Sequence, residues 1–284
     1  MKISKLIILL LICIYGLGFL YADSTRVLYF THEPGRWHKY TPQLDHFKKI
    51  AEKAGWNYSV MSGDHDSQIQ QLMSKDYGKD FDAIIYNFCF AKSENYEACH
   101  NLMKQTKEHG VPALMIHCSM HSFWGTFKAP RGKKVKQADL SQHIKVGKGK
   151  QGYALKSQVE EWKSKHPNIA FPVWGDFTGI ASTSHGPKLE ILTEKVAKDH
   201  PALKRFPEGF KVMPSELYNN YYITDAVKPI LKGTQENKDE AIIMWESQQG
   251  KGKVMGLTLG HYPEEWEVEE FQNLIIDGVN SLVK

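Results

Sequence analysis

Apolar residues in this chain fall into two rhythms. Short unbroken runs alternate with longer stretches in which apolar positions recur every three or four residues, the signatures of buried strands and amphipathic helices. Residues 26–31 (RVLYFT) form the first run and read as a strand. Residues 41–54 follow with Leu44, Phe47, Ile50 and Ala51 at helical spacing, closed by Gly55. Strands are predicted at 56–61, 81–90 and 112–117, with a helix over 93–109 that stops at Gly110. Later, 241–245 and 253–259 read as strands joined by a turn at 249–252, and 266–283 is an amphipathic final helix. Alternating strands and helices imply right-handed crossovers. The expected fold is therefore α/β, with a mostly parallel, flavodoxin-like sheet covered by helices on both faces.

One stretch breaks the pattern. Between residues 125 and 172, eleven Lys or Arg face three acids, and glycines are frequent up to Gly152. It reads as a basic insertion after the fourth strand. A solvated basic loop and a lid over an anionic ligand are both open readings.

The first 22 residues read as a secretory leader: Lys2 and Lys5, an apolar stretch from Leu6 to Phe19, and Ala22 before the expected cut. An uncleaved N-terminal anchor is the alternative. The expected layout is a leader at 1–22 and one α/β domain at 23–284, periplasmic or secreted, with no later membrane span. Without the leader, 36 Lys+Arg and 32 Asp+Glu lose two lysines and no acids, leaving a net charge near +2. That is no nucleic-acid signature, and homo-oligomerisation is open. Cys89, Cys99 and Cys118 remain, an odd number, so at least one is free and apolar burial must hold the core.

Ligands of open parallel sheets sit outside the carboxyl ends of the strands. Three such ends carry histidine: Thr31-His32-Glu33, the run from His117 to His121, and Gly260-His261. A glycine-spaced loop, 174–187, presents Asp176 and His185, and Glu216 is followed by Tyr218, Tyr221 and Tyr222. Aromatic faces beside carboxylates suit sugar rings. Thirteen histidines make chance placement easy, so separate histidines satisfied by backbone partners are the competing reading.

On these segments the chain resembles the trehalose-utilisation (ThuA-like) family, which has a class I glutamine-amidotransferase-like sheet. The resemblance rests on His32 at the end of the first strand, PALMIHCSMHS, GDFTGIASTSHGP, SELY and GKGKVMGLTLGH. Amidotransferases carry a nucleophilic cysteine on the turn after this fourth strand and a His-x-Glu after a late one. Here His117 takes the nucleophile's place and Cys118 comes one residue later, a switch of face. His261-Tyr262-Pro263-Glu264 looks similar to the second half of that machinery.

The resemblance implies carbohydrate metabolism through 3-keto intermediates, and together with the aromatic and carboxylate segments it makes a small-molecule sugar the expected partner. Histidine at neutral pH serves as acid, base or metal ligand. The expected catalytic residues are His117, His261, His185 and Glu216, with His32, Trp37, His121, Asp176 and Tyr218 contacting substrate. A divalent metal such as zinc is a candidate cofactor, on His32, His117 and His185. The expected activity is that of a lyase, hydrolase or isomerase of a keto-sugar or 3-keto-glycoside. Alternatives are a non-catalytic carbohydrate-binding protein and a thiol hydrolase or amidotransferase using Cys118.

Overall fold

The computed structural model describes residues 24–35, 37–91, 93–123, 142–148, 153–182 and 184–284. The expected leader and, within the basic insertion, residues 125–141 and 149–152 lie outside them. Among the described residues the parallel core is β1 (Arg26–Thr31), β2 (Asn57–Met61), β3 (Ala83–Asn87) and β4 (Ala113–Ile116). Helices α1 (Tyr40–Ala54), α2 (His65–Leu72) and α3 (Tyr96–Lys107) connect them. β1, β3 and β4 are apolar along most of their length because both their faces are buried, whereas β2, at the sheet edge, is largely exposed. Val27, Tyr29, Ala83, Ile85, Leu114 and Ile116 pack with Phe47 and Ile50 of α1. The alternate positions Leu28, Phe30, Ile84, Tyr86, Ala113 and Met115 pack with Leu72 and with Cys99 and Leu102 of α3.

The middle of the chain adds β5 (His143–Lys145), β6 (Tyr153–Leu155), α4 (Lys156–Lys165), α5 (Trp174–Thr178) and β7 (Ile180–Ala181). Then come β8 (His185–Lys195), β9 (Lys211–Tyr218), β10 (Tyr222–Ile223), β11 (Val227–Thr234), β12 (Glu240–Gln249), β13 (Gly252–Leu257) and the final helix α6 (Glu269–Leu282). The main sheet has nine strands in the order β2-β1-β3-β4-β13-β12-β11-β8-β9. Its first five are parallel to one another, as strand–helix alternation predicts. The other four continue it antiparallel, a part that the apolar pattern shows only at the β12–β13 hairpin.

Two sequence expectations change in detail. The segment read as a loop presenting Asp176 and His185 contains helix α5, and His185 opens strand β8. Cys118 is buried and joined to Cys89 in a disulfide, while Cys99 is the buried free thiol. A sulfur in that bond is no nucleophile, which removes the basis of the thiol-hydrolase alternative in this state. No helix among the described residues is long and apolar enough to cross a membrane.

Candidate active site

At the end of β4 the chain turns sharply. His117 has φ +46° and opens a 3-10 turn, His117–His121. A non-glycine residue in this left-handed region costs about 1–2 kcal/mol. Next door, Thr258, the residue after β13, offers a carbonyl that accepts a hydrogen bond from His117 Nδ1 at 2.6 Å. A carbonyl only accepts, so Nδ1 carries the proton and Nε2 of the neutral ring presents a lone pair.

His261 follows a second tight turn. Gly260 has φ +98°, and a Cβ there would meet Phe271 at 2.7 Å, so only glycine fits. The buried carboxylate of Glu265 holds the turn by accepting from Gly260 N at 2.8 Å, Tyr262 N at 3.1 Å and Ser215 Oγ at 2.7 Å. Gln43 Nε2 donates to the carbonyls of Gly260 and His261 at 3.1 and 3.2 Å, and Trp266 Nε1 to Gly260 O at 3.1 Å.

The third wall comes from the β8–β9 ribbon. Only Leu192–Lys195 of β8 pairs with β11; the first half, from His185, pairs with β9 alone. Gln235 Nε2 ties the freed ribbon down, donating to the carbonyls of Pro187, Leu189 and Ser215 at 3.1–3.3 Å. Within it His185 sits opposite Tyr218 and Lys188 opposite Glu216, with a register shift between the two pairs. Residues three apart on a regular strand face opposite ways; the bulge turns His185 and Lys188 to one face, that of Glu216 and Tyr218.

These walls converge. His117 Nε2 lies 3.1 Å from His261 Nδ1, accepts from the Tyr218 hydroxyl at 3.0 Å, and is 3.4 Å from Glu216 Oε2. His261 Nδ1 is also 3.4 Å from Glu216 Oε2, and its Nε2 accepts from Lys188 Nζ at 2.9 Å. Glu216 Oε1 faces His185 Nε2 at 3.1 Å and Lys188 Nζ at 3.5 Å. Burial works against the Glu216 charge, yet the facing His117 and His261 rings outweigh it and hold the carboxyl well below the usual carboxylate range. Lys188 is raised above its ordinary value: partial burial opposes its charge, but Tyr262 and Glu216 favour it more.

His38, absent from the sequence-derived set, completes the cluster. Its ring lies 4.8 Å from that of His117 and 5.0 Å from that of His261, centroid to centroid. Burial, and then the neighbouring histidines, push its imidazole down to about 2, so it is neutral at physiological pH. Its Nδ1 is buried without a hydrogen-bond partner. The signal that could have found it is position: it sits in the turn-rich loop after β1, at the same sheet edge as His117 and His261.

The structure thus brings together His117, His261, His185, Glu216 and Tyr218. His121 stands behind them, stacked on Tyr218 at 4.0 Å with Nε2 donating to Ser182 Oγ at 2.7 Å. His32 is buried apart, against Phe90 and Tyr40. Trp37, next to His38 in the chain, is half exposed. Asp176 does not join the site. It accepts from Lys148 N and Tyr222 Oη, and its backbone carbonyl from Gln249 at the end of β12, at the opposite end of the sheet. Glu264 is exposed, and the carboxylate facing His261 is Glu216 from β9. The metal set expected from the sequence, His32, His117 and His185, is not assembled. Among the described residues, the clusters close enough to share an ion are His38 with His117 and His261, and His38 with Cys89 and Cys118.

The site has a closed floor and an open side. Side-chain exposure is 2% for His117 and 8% for Glu216 but 33% for His185 and 40% for Lys188. A polar ligand entering past His185 and Lys188 would meet a base nitrogen, a phenol and a carboxylate within one small volume, the equipment for moving a proton and steadying an oxyanion.

A profile of the ThuA family, described as trehalose utilisation, matches residues 26–280. No curated protein matches the chain. Among solved structures, a ThuA-like protein from Parabacteroides merdae superposes with a TM-score of 0.62 at 15% identity, over 92% of this chain and 91% of that one. A cytoplasmic protein from Salmonella typhimurium LT2 gives a TM-score of 0.55 at 11% identity, over 92% of this chain and 100% of the other. At such identities the likeness is one of fold.

Proposed function

Since the chain belongs to the ThuA family, described as trehalose utilisation, we propose that it is an exported enzyme of carbohydrate metabolism, a lyase, hydrolase or isomerase acting on a keto-sugar or 3-keto-glycoside by histidine acid–base chemistry. One observation carries this reading. His117 Nδ1 donates to Thr258 O at 2.6 Å, which in the neutral ring leaves Nε2 as the base nitrogen, with a phenol 3.0 Å away.

A ketone acidifies the neighbouring C–H. In a 3-keto-glycoside, His117 Nε2 takes the C2 proton, and the electron pair passes into the enolate of the C3 ketone. The Tyr218 hydroxyl, which donates to Nε2 in the free site, and the Lys188 ammonium stabilise that developing oxyanion. The enolate then expels the glycosidic oxygen from C1, and an imidazole N–H of His261 or His185 protonates it as it leaves. The products are an enone and a free alcohol; water addition to the enone gives net hydrolysis, and reprotonation without expulsion gives isomerisation. Glu216, facing both rings, holds them in orientation and balances the positive charge that arises on them. Two flanking carboxylates, the usual glycosidase equipment, are not needed on this route.

The test is turnover of a panel of 3-keto and unoxidised disaccharides by the purified protein and by His117→Ala. The reading expects turnover confined to the oxidised sugars and a loss of about 10³-fold or more in kcat for the variant. Wild-type binding without turnover would make the protein a carbohydrate-binding module and refute the proposal. Export rests on the leader pattern of residues 1–22. Intact mass of protein from the native envelope should correspond to a chain starting at Asp23; a full-length mass would mean an anchored protein.

A further inference from the structure

We infer that His38, His117 and His261 form a binding site for a divalent metal ion of the zinc class, one that takes nitrogen ligands. One ring nitrogen from each, all within 4.8 Å of one another, converges at the C-terminal edge of the sheet. The inference goes beyond the sugar chemistry and stands on these nitrogens, whatever the substrate.

Three features support it. The first is spacing. Nitrogen ligands about 2.0–2.1 Å from a tetrahedral ion lie roughly 3.4 Å from each other. His117 Nε2 and His261 Nδ1 are already 3.1 Å apart, and a His38 ring nitrogen lies within 4.8 Å of both. The second is the outer support of His117. Ligating histidines usually donate their other N–H to a carbonyl or carboxylate, which fixes the tautomer and raises the basicity of the ligating nitrogen. His117 Nδ1 does this to Thr258 O. The third is an unmet need: His38 Nδ1 is buried with no hydrogen-bond partner, so ring and pocket lack something that the protein itself does not supply. The Glu216 carboxylate, 3.4 Å from both His117 Nε2 and His261 Nδ1, brings the negative charge that a dication needs.

His38 also stands near Cys89 and Cys118, but those sulfurs are bonded to each other, which leaves the imidazole set as the available one. Lys188 opposes the ion. Its ammonium donates to His261 Nε2, which fixes the proton of that ring on Nδ1, the nitrogen that would face the metal. Metal binding must move that proton to Nε2 and turn Lys188 towards Glu216, 3.5 Å away. Metal and substrate proton also compete for the His117 lone pair, so the readouts that follow do not depend on turnover.

The experiment takes the mature chain, strips it with chelator, and titrates it with Zn²⁺ against a chromophoric competitor and with Co²⁺ by visible absorption. The expected result is one equivalent bound, with the intense d–d bands of a low-coordinate cobalt site. His38→Asn and His261→Asn should each weaken binding more than tenfold with an unchanged circular dichroism spectrum. Lys188→Met should tighten it, and the double variant Cys89→Ser/Cys118→Ser should leave it unchanged. Paramagnetically shifted imidazole N–H signals of the Co²⁺ protein should count three histidine ligands, a readout that needs no variant to fold. Absence of stoichiometric binding would overturn the inference. So would undiminished affinity in both histidine variants, or affinity lost only with the cysteine pair. Metal binding through these histidines in a protein inactive on every keto-sugar would sustain the site and discard the sugar proposal.

Discussion

The strained turn at His117 can be tested by two substitutions that share almost every cost. His117→Ala and His117→Gly both delete the imidazole, both leave the Thr258 carbonyl without its 2.6 Å donor, and both open nearly the same cavity under Tyr218. Their difference reports the backbone. At φ +46° alanine carries a left-handed penalty of about 1–2 kcal/mol that glycine escapes. Glycine in turn costs about 0.4–1 kcal/mol in unfolded-chain entropy. The balance leaves the glycine variant the more stable of the two by about 0.5–1 kcal/mol, the reverse of the order at an ordinary position. For a chain of this size that is roughly 2–4 °C in Tm per kcal/mol. Urea unfolding of both variants, compared at midpoint with equal m values, measures it. If the alanine variant is equally stable or more so, the turn is not held at positive φ in solution. The account of how the imidazole is aimed into the cleft then fails.

Three further outcomes follow from the same geometry. Glu216→Gln keeps the shape but removes the charge that faces His117, His261, His185 and Lys188; kcat should fall about 10²-fold, from roughly 2–4 kcal/mol of lost charge pairing, with KM changed only a few-fold in steady-state kinetics. Cys118→Ser opens the bridge to Cys89, 29 residues away in sequence, and should cost about 3–4 kcal/mol in chemical denaturation while turnover per folded molecule stays near wild type. His32 is pushed down to about 4, first by burial and then by His65, with Glu33 and Asp64 opposing. Below pH 6.5 the unfolded chain therefore takes up a proton that the folded one refuses, and stability drops as pH falls from about 6.5 to about 4. After allowing for solvent screening, that drop is about 2 kcal/mol, and His32→Leu should flatten the stability curve by this amount in pH-dependent urea melts.

Much of this protein is legible along the chain because parallel strands are buried on both faces. Residues 26–31, 81–90 and 112–117 read as strands from composition alone, and the histidines after the first and fourth follow from the rule that loops at the carboxyl ends carry chemistry. The β8–β9 ribbon is a different case. HGPKLEILTEK lies at the margin of the sheet, mostly exposed, and offers no apolar run to read. Its bulge, which turns both His185 and Lys188 towards Glu216, depends on pairing with a strand about 30 residues later in the chain. His38 lies in a loop without periodicity, so its share in the cluster depends on where the ends of β4 and β13 happen to stand. Glu264 looked like the partner of His261 because it is near in sequence; the folded chain exposes it and brings Glu216 from another strand instead. The sequence by itself determined the elements, the sheet edge and the histidine chemistry, since those depend on local pattern and residue type. Only the tertiary structure decided which carboxylate, which histidines and which lysine share one volume, because those distances are set by long-range pairing that no local window contains.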